Sequence, residues 1–260
     1  MQEMSLRHKP DSGVTSLGYD RMKLLKKTTL KKEYVSVDGS FGGNQRWLRE
    51  DPDKANTLSN YGCGLIAAND VLLHISDKAG NPSKEKYIAA VRDMNRRYFH
   101  ILPFLGISGI LLSFYMRIYL SMHKKHFKAK YIVRWGVMPH NILKRVTEMI
   151  ENDIPVILSI GPAFIRRRKE KLPFYTAQIN SDDINFTRAT QTKDHYVSVT
   201  GVYETIEPPN DIHKKSSIYL EISSWGKKFY INYDEYIDYI KKHDNFLFSN
   251  ILYISQRKKP

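Results

Sequence analysis

The chain has one cysteine, Cys63, among its 260 residues. A lone thiol excludes an intrachain disulfide framework and any metal site built from several cysteines. It fits a reducing compartment, where thiols stay free. No secretory leader is expected either. The opening MQEMSLRHKPDSGVTS is polar and has no apolar core running into a small-residue cleavage site. The expected location is therefore cytoplasmic. Long hydrophobic runs are scarce too. Only Ile101 to Leu120 reaches the length of a spanning helix. Pro103, Gly106, Ser108 and Gly109 interrupt its first half, Arg117 lies inside it, and charges crowd both flanks. A turn followed by a helix from about Gly109 to Met122 is expected instead, with no transmembrane segment. There is no internal repeat, no zinc-finger spacing, no glycine–aromatic RNA-binding motif and no helix-turn-helix.

Acidic residues are in deficit, 27 against 41 Lys and Arg, which leaves a net charge of +14. That balance favours acidic partners, including nucleic acid and anionic surfaces. The basic runs are scattered, however: RMKLLKKTTLKK, HKKHFKAK, RRRKEK and RKK. A solvated, lysine-rich surface accounts for them as well, and a nucleic-acid function ranks last for want of a motif. What the chain does have is core material. Hydrophobic residues make up 42% and aromatic residues 12%, enough for one large folded domain.

Residues 1–33 read as a basic, weakly ordered arm before a single domain over 34–260. YVSVDGSFGG, from Tyr34, alternates briefly like a strand. A polar loop anchored by Trp47 leads to Cys63. The apolar pattern after Cys63 predicts a central buried helix. Ser83 can cap a helix from Lys84 to Phe99, and the helix from Gly109 follows. The pattern then changes. KYIVRWG reads as a strand, and Pro139 opens a helix to about Asn152. IPVILSIG, HYVSVTGVYE, SIYLEISSWG, KKFYIN and NILYIS read as strands, with a short helix at Asp234. Arg166 to Gln191 reads as a long loop. The expected class is α+β: a helical lobe over about 60–130 and a mainly antiparallel sheet lobe over about 131–260. The two layers would meet at a cleft.

Three positions bear chemistry. Cys63 opens its helix, where the positive dipole end favours a thiolate, and Gly62 and Gly64 flank it. Taken alone, a small buried cysteine is the better explanation. His195 starts a strand after a polar loop, where an imidazole can serve as base for a thiol. Ser223-Ser224-Trp225-Gly226 closes another strand with a compact turn. There a third residue could orient the imidazole and a tryptophan could shield it.

GCGLIAANDVLL, IPVILSIG, HYVSVTGVY and SSWGKKFYI together resemble the papain-like cysteine peptidases, closest to the bacterial C39-like branch. The similarity spans roughly Gly42 to Ile254, by order of elements more than by identity. It implies a papain-like fold in which a Cys-bearing central helix packs against an antiparallel sheet lobe. It also implies a thiol hydrolase, a peptidase or related amidase, acting through an acyl-enzyme. Cys63 would be the nucleophile, in a thiolate–imidazolium pair with His195. Gln45 would donate to the oxyanion, with Asn60 the weaker candidate. Ser223 falls where the family has Asn or Asp, so Ser223 or Glu221 would orient His195, while the adjacent Asp194 would point away. No metal or organic cofactor is implied, and the partner would be a peptide or protein substrate. The alternative is a catalytically inactive relative that holds an acidic partner in its cleft.

Overall fold

The computed structural model describes residues 22–49, 57–76, 81–104, 106–161, 170–207, 216–243 and 246–257. The chain is α+β, and every strand pairing is antiparallel. The N-terminal part holds the strand β1 (Met22–Thr29) and a small hairpin of β2 (Ser36–Val37) and β3 (Ser40–Phe41). The helices α1 (Thr57–Tyr61), α2 (Cys63–Ile75), α3 (Lys84–Met94) and α4 (Gly109–Met122) follow. Beyond them run β4 (Lys130–Trp135), α5 (Ile142–Glu151), β5 (Val156–Ile160), β6 (Leu172–Ile179), β7 (Asp183–Thr192), β8 (His195–Ile206), β9 (Ser216–Ser224), β10 (Lys227–Asn232), α6 (Tyr233–His243) and β11 (Ile251–Arg257).

The helix α2 is the core helix that its sequence predicts. Leu65, Ala68, Val71 and Leu72 are buried, and so are the polar Asn69, Asp70 and His74 on its other sides. A helix enclosed all round belongs at the centre of a fold. The ends of the other helices follow from capping chemistry. The Ser83 side chain accepts from the Lys86 amide to start α3, and the Ser108 side chain accepts from Leu111 to start α4. Asn232 does the same for α6, accepting from Asp234 and Glu235. The helix α6 then places acids in its first turn and Lys241, Lys242 and His243 in its last, in the sense the helix dipole favours. No helix among the described residues is long and apolar enough to cross a membrane.

The sheet differs from expectation in three ways. First, β1 lies within the predicted basic arm. Met22–Thr29 pairs with both β7 and β8, while residues 1–21 lie outside the described residues. Lysines at an exposed strand look like a solvated tail in sequence, but the backbone bonds to β8 hold them in place. Second, most of the predicted loop Arg166 to Gln191 is the hairpin β6–β7. Third, helices cover both faces of the sheet's centre. Both α2 and α5 pack against β5 and β8, and β5 is buried at every position. The arrangement there is three layers, where the sequence suggested two.

The long strand β8 organises the rest. Along one side it pairs with β9; along the other it pairs first with β5 and then with β1. Because β1 also pairs with β7, the strands β1, β7, β6, β10, β9 and β8 close into a ring. Closure removes free sheet edges. Ile184, Phe186, Tyr203, Tyr219 and Tyr230 form a small core of their own within these strands. The main core lies around α2 and the strands β5, β8 and β11. The candidate site sits at the start of β8, beside the first turn of α2.

Candidate functional site

The fold brings Cys63, His195, Gln45 and Ser223 to one cavity, although they lie up to 178 residues apart in sequence. Gly43, Asp70, Tyr196, Ser198, Ser224 and Trp225 also line it. The cavity is about 10 Å³, room for about one water.

Cys63 is the first residue of α2 and Gly62 its N-cap. A side chain at Gly64 would meet Ile107 at 2.9 Å and the Tyr196 ring at 3.2 Å, so glycine lets α2 press close to β8. Tyr196 in turn donates its hydroxyl to the Ile107 carbonyl at 3.0 Å, tying the site to the segment before α4. The helix position does not deliver the expected thiolate. Burial pushes the Cys63 thiol pKa up, and the amides of Tyr196, Gly64 and Cys63 itself only partly oppose it. Those amides are the donors that would meet negative charge developing near the sulfur.

His195 is buried, and burial alone drives its pKa down to about 4. Each group is therefore neutral near pH 7, a thiol and an imidazole, and neither is among the causes that shift the other. The ring is held on two sides. Its Nε2 lies 2.9 Å from the Ser224 hydroxyl, and the Trp225 indole stacks on it at 4.7 Å and 21°. Trp225 and Gly226 both have positive φ, of 51° and 73°, and join β9 to β10 by a two-residue turn. Such turns match the twist of the strands they connect. Asn44 donates to the Trp225 carbonyl, and the Phe41 amide donates to that of Gly226. The β3 segment thus braces the turn that braces the histidine.

The residue hydrogen-bonded to the imidazole is Ser224, one position beyond the one that the Ser-Ser-Trp-Gly match picks. Ser223 instead donates to the Phe41 carbonyl at 2.7 Å. The reason is register. Ser198 pairs with Ser223, so alternation puts Ser223 on the Ser198 face and Ser224 on the face of Val197 and His195. Glu221 is not near the imidazole's partners either. It accepts from Thr200 at 2.8 Å, Tyr203 at 2.8 Å and Tyr230 at 3.2 Å, with the Lys228 ammonium 3.2 Å away. Asp194 sits at a φ of 51° before β8 and has no part in shifting His195. Gln45 lines the cavity and donates one amide hydrogen to the Ser59 carbonyl at 3.0 Å, leaving the other. Asn60 is exposed and is not among the lining residues.

Sequence reasoning missed Asp70. It lies two turns after Cys63 on the same helix, is 2% exposed and lines the cavity. Its carboxylate accepts from Tyr87 at 2.5 Å, from the Gly43 amide at 2.9 Å and from Tyr34 at 3.3 Å. Burial raises its pKa to about 6, against the pull of these donors. The available signal was an aspartate at the i+7 position from the cysteine, two turns along the same side of the helix. Among the described residues, no group of three His, Cys, Asp or Glu is placed to share a metal ion.

Comparison of the chain with family models, with curated proteins and with solved structures finds no match.

Proposed function

We propose that the protein is a thiol hydrolase of papain-like architecture, a peptidase or related amidase acting on peptide or protein substrates. One observation carries this reading: a helix-leading cysteine shares a cavity with a histidine whose ring is fixed by a serine hydroxyl and a stacked tryptophan. Ser224 engages Nε2, so Nδ1 is the nitrogen left to take a proton. As the Cys63 sulfur attacks an amide carbonyl, its proton passes to His195. The carbonyl carbon gains a C–S bond and its oxygen becomes the oxyanion, met by the Cys63 amide and the spare Gln45 amide hydrogen. His195 then protonates the leaving nitrogen, and water assisted by His195 cleaves the thioester. The proton moves within the attack, since the resting pair is neutral.

The test is acylation by p-nitrophenyl acetate, followed by intact-mass measurement. The wild type should gain one acetyl group, as a hydroxylamine-labile thioester on Cys63, and turn it over. Replacing His195 by Ala should slow acylation by about 100-fold, the scale of a positioned general base. Acetylation of Cys63 no faster than a free thiol, and indifferent to His195→Ala, would remove the hydrolase reading.

A second reading draws on the size of the cavity and on the uncharged residue at Nε2. A site with room for one water, and no carboxylate on its imidazole, also suits an inactive relative that binds an acidic partner. Under that reading the wild type stays unacylated while an immobilised polyglutamate retains it at low salt.

A further inference from the structure

A second cavity lies at the far end of α4 from the candidate site. Its volume is about 450 Å³, within the range of small-molecule sites. Arg117, Lys124, Lys128 and Lys130 line it together with the aromatic residues Phe127 and Tyr131. No Asp or Glu is among the described residues that line it. Arg117 belongs to the last turns of α4, Lys124 to the tight turn after it, and Lys130 to the start of β4. Three separate elements therefore aim cations at one hollow. The Arg117 Nε is already committed to the Ser113 carbonyl, which fixes the guanidinium against its helix. Phe127 and Tyr131 are half-buried and meet edge to face at 6.2 Å and 84°, so each ring is braced by the other.

Convergent cations over an open hollow select a multiply charged anion, and phosphate groups are the ones Arg and Lys read best. The aromatic pair adds a preference that a bare anion does not use. A flat ring can lie on Phe127 or Tyr131 while its charged tail reaches the cations. We propose that this cavity binds a phosphorylated ligand carrying a flat ring, of nucleotide size. The site is independent of the Cys63–His195 chemistry. The helix α4 is about 20 Å long, and its other end is the one near Tyr196.

The probes are ATP, inorganic pyrophosphate and adenosine, competing against a fluorescent ATP analogue on the full chain at low salt without added metal. ATP should displace the analogue about tenfold more effectively than either fragment, and added KCl should weaken it steeply. Charge reversal in Lys124→Glu with Lys130→Glu should weaken ATP by about tenfold or more. Phe127→Ala should weaken ATP and leave pyrophosphate within about twofold, because only the ring loses its platform. All these residues lie at the surface or are half-buried, and circular dichroism checks that each variant folds. Equal competition by ATP and pyrophosphate would overturn the ring platform. Unchanged ATP affinity in the charge-reversed variant would move binding elsewhere. Binding to phosphatidylglycerol vesicles that ATP does not displace would reassign the cavity to a lipid headgroup, against the proposal.

Discussion

Two buried carboxylates, Asp70 on α2 and Glu221 on β9, are solvated by the protein in opposite ways. Each accepts from two tyrosine hydroxyls. Glu221 has in addition Thr200 and an ammonium group, Lys228 at 3.2 Å. Asp70 has the backbone amide of Gly43 instead, and its pKa rises to about 6. Burial outweighs the three donors at Asp70, and the uncompensated cost of its charge appears as proton affinity. The two environments also differ in purpose. Glu221 ties the closed ring of strands together on the side of a separate hollow. Asp70 ties the segment that carries Gly43 and Gln45 to the helix that carries Cys63. Glu221 was a sequence-level candidate for the site and proves to be architecture. Asp70 was not a candidate, and it lines the cavity.

The largest expected effect tests the architectural half of that contrast. Glu221→Ala would leave the buried hydroxyls of Thr200, Tyr203 and Tyr230 without the carboxylate they now share, while the half-exposed Lys228 can turn to water. Each buried donor left unsatisfied costs about 1–3 kcal/mol. Urea unfolding at pH 7 measures it. A loss below about 1 kcal/mol would mean that water replaces the carboxylate without penalty, as it does at a surface pair.

The next effect separates two groups in the cavity whose protons work against each other. Between about pH 4 and pH 6 native Asp70 keeps a proton that its unfolded form has released, so its contribution to stability falls as pH rises. Over nearly the same window the unfolded histidine is protonated and native His195 is not, so its contribution falls as pH drops. Each amounts to about 3 kcal/mol across its window, and the two largely cancel in the wild type. Relative to wild type, Asp70→Asn should gain about 3 kcal/mol in stability between pH 4 and pH 6. His195→Ala should lose about as much relative to wild type between pH 4 and pH 6.5. Chemical denaturation at a series of pH values gives both curves. Parallel curves for either variant and the wild type would show that the group in question titrates alike folded and unfolded.

The sequence made the buried elements legible and the half-exposed ones obscure. The central helix, the helix Gly109–Met122 and the strand in IPVILSIG emerge from apolar pattern alone, because burial dictates their composition. The hairpin β6–β7 hid for the opposite reason. Leu172 and Phe174 are buried, as are Ile184 and Phe186, but polar side chains are interspersed with them, and Thr176, Gln178, Thr187, Arg188 and Gln191 face solvent. Its turn is closed by a backbone bond from Asn180 to Asp183 within a run that reads as plain loop. The strand β1 pairs its backbone with β8 and packs Met22 and Leu24 against the small core, a signal too short to stand out among Lys23, Lys26 and Lys27. At the site, Cys63 and His195 could be picked out because each stands at the first residue of its element. Their protonation states could not, since burial depends on what packs over them.

The orienting serine shows that limit most sharply, and it supplies the smallest and most discriminating prediction. Ser223 and Ser224 are chemically identical neighbours, and a one-residue change of register exchanges their faces. Only Ser224 lies at 2.9 Å from the imidazole; Ser223 is spent on the Phe41 carbonyl. The two alanine variants should each lose about 1 kcal/mol of stability, one hydrogen bond's worth. They should diverge in the acetylation of Cys63. Ser224→Ala frees the His195 ring on its Nε2 side and should slow the reaction about tenfold, the rate equivalent of that same bond. Ser223→Ala should leave it within about twofold, since its hydroxyl engages the Phe41 carbonyl and Tyr34, not the imidazole. The reverse ranking would return the orienting role to Ser223. Equal slowing would show that bracing the turn, and not the hydroxyl on the ring, is what the site requires.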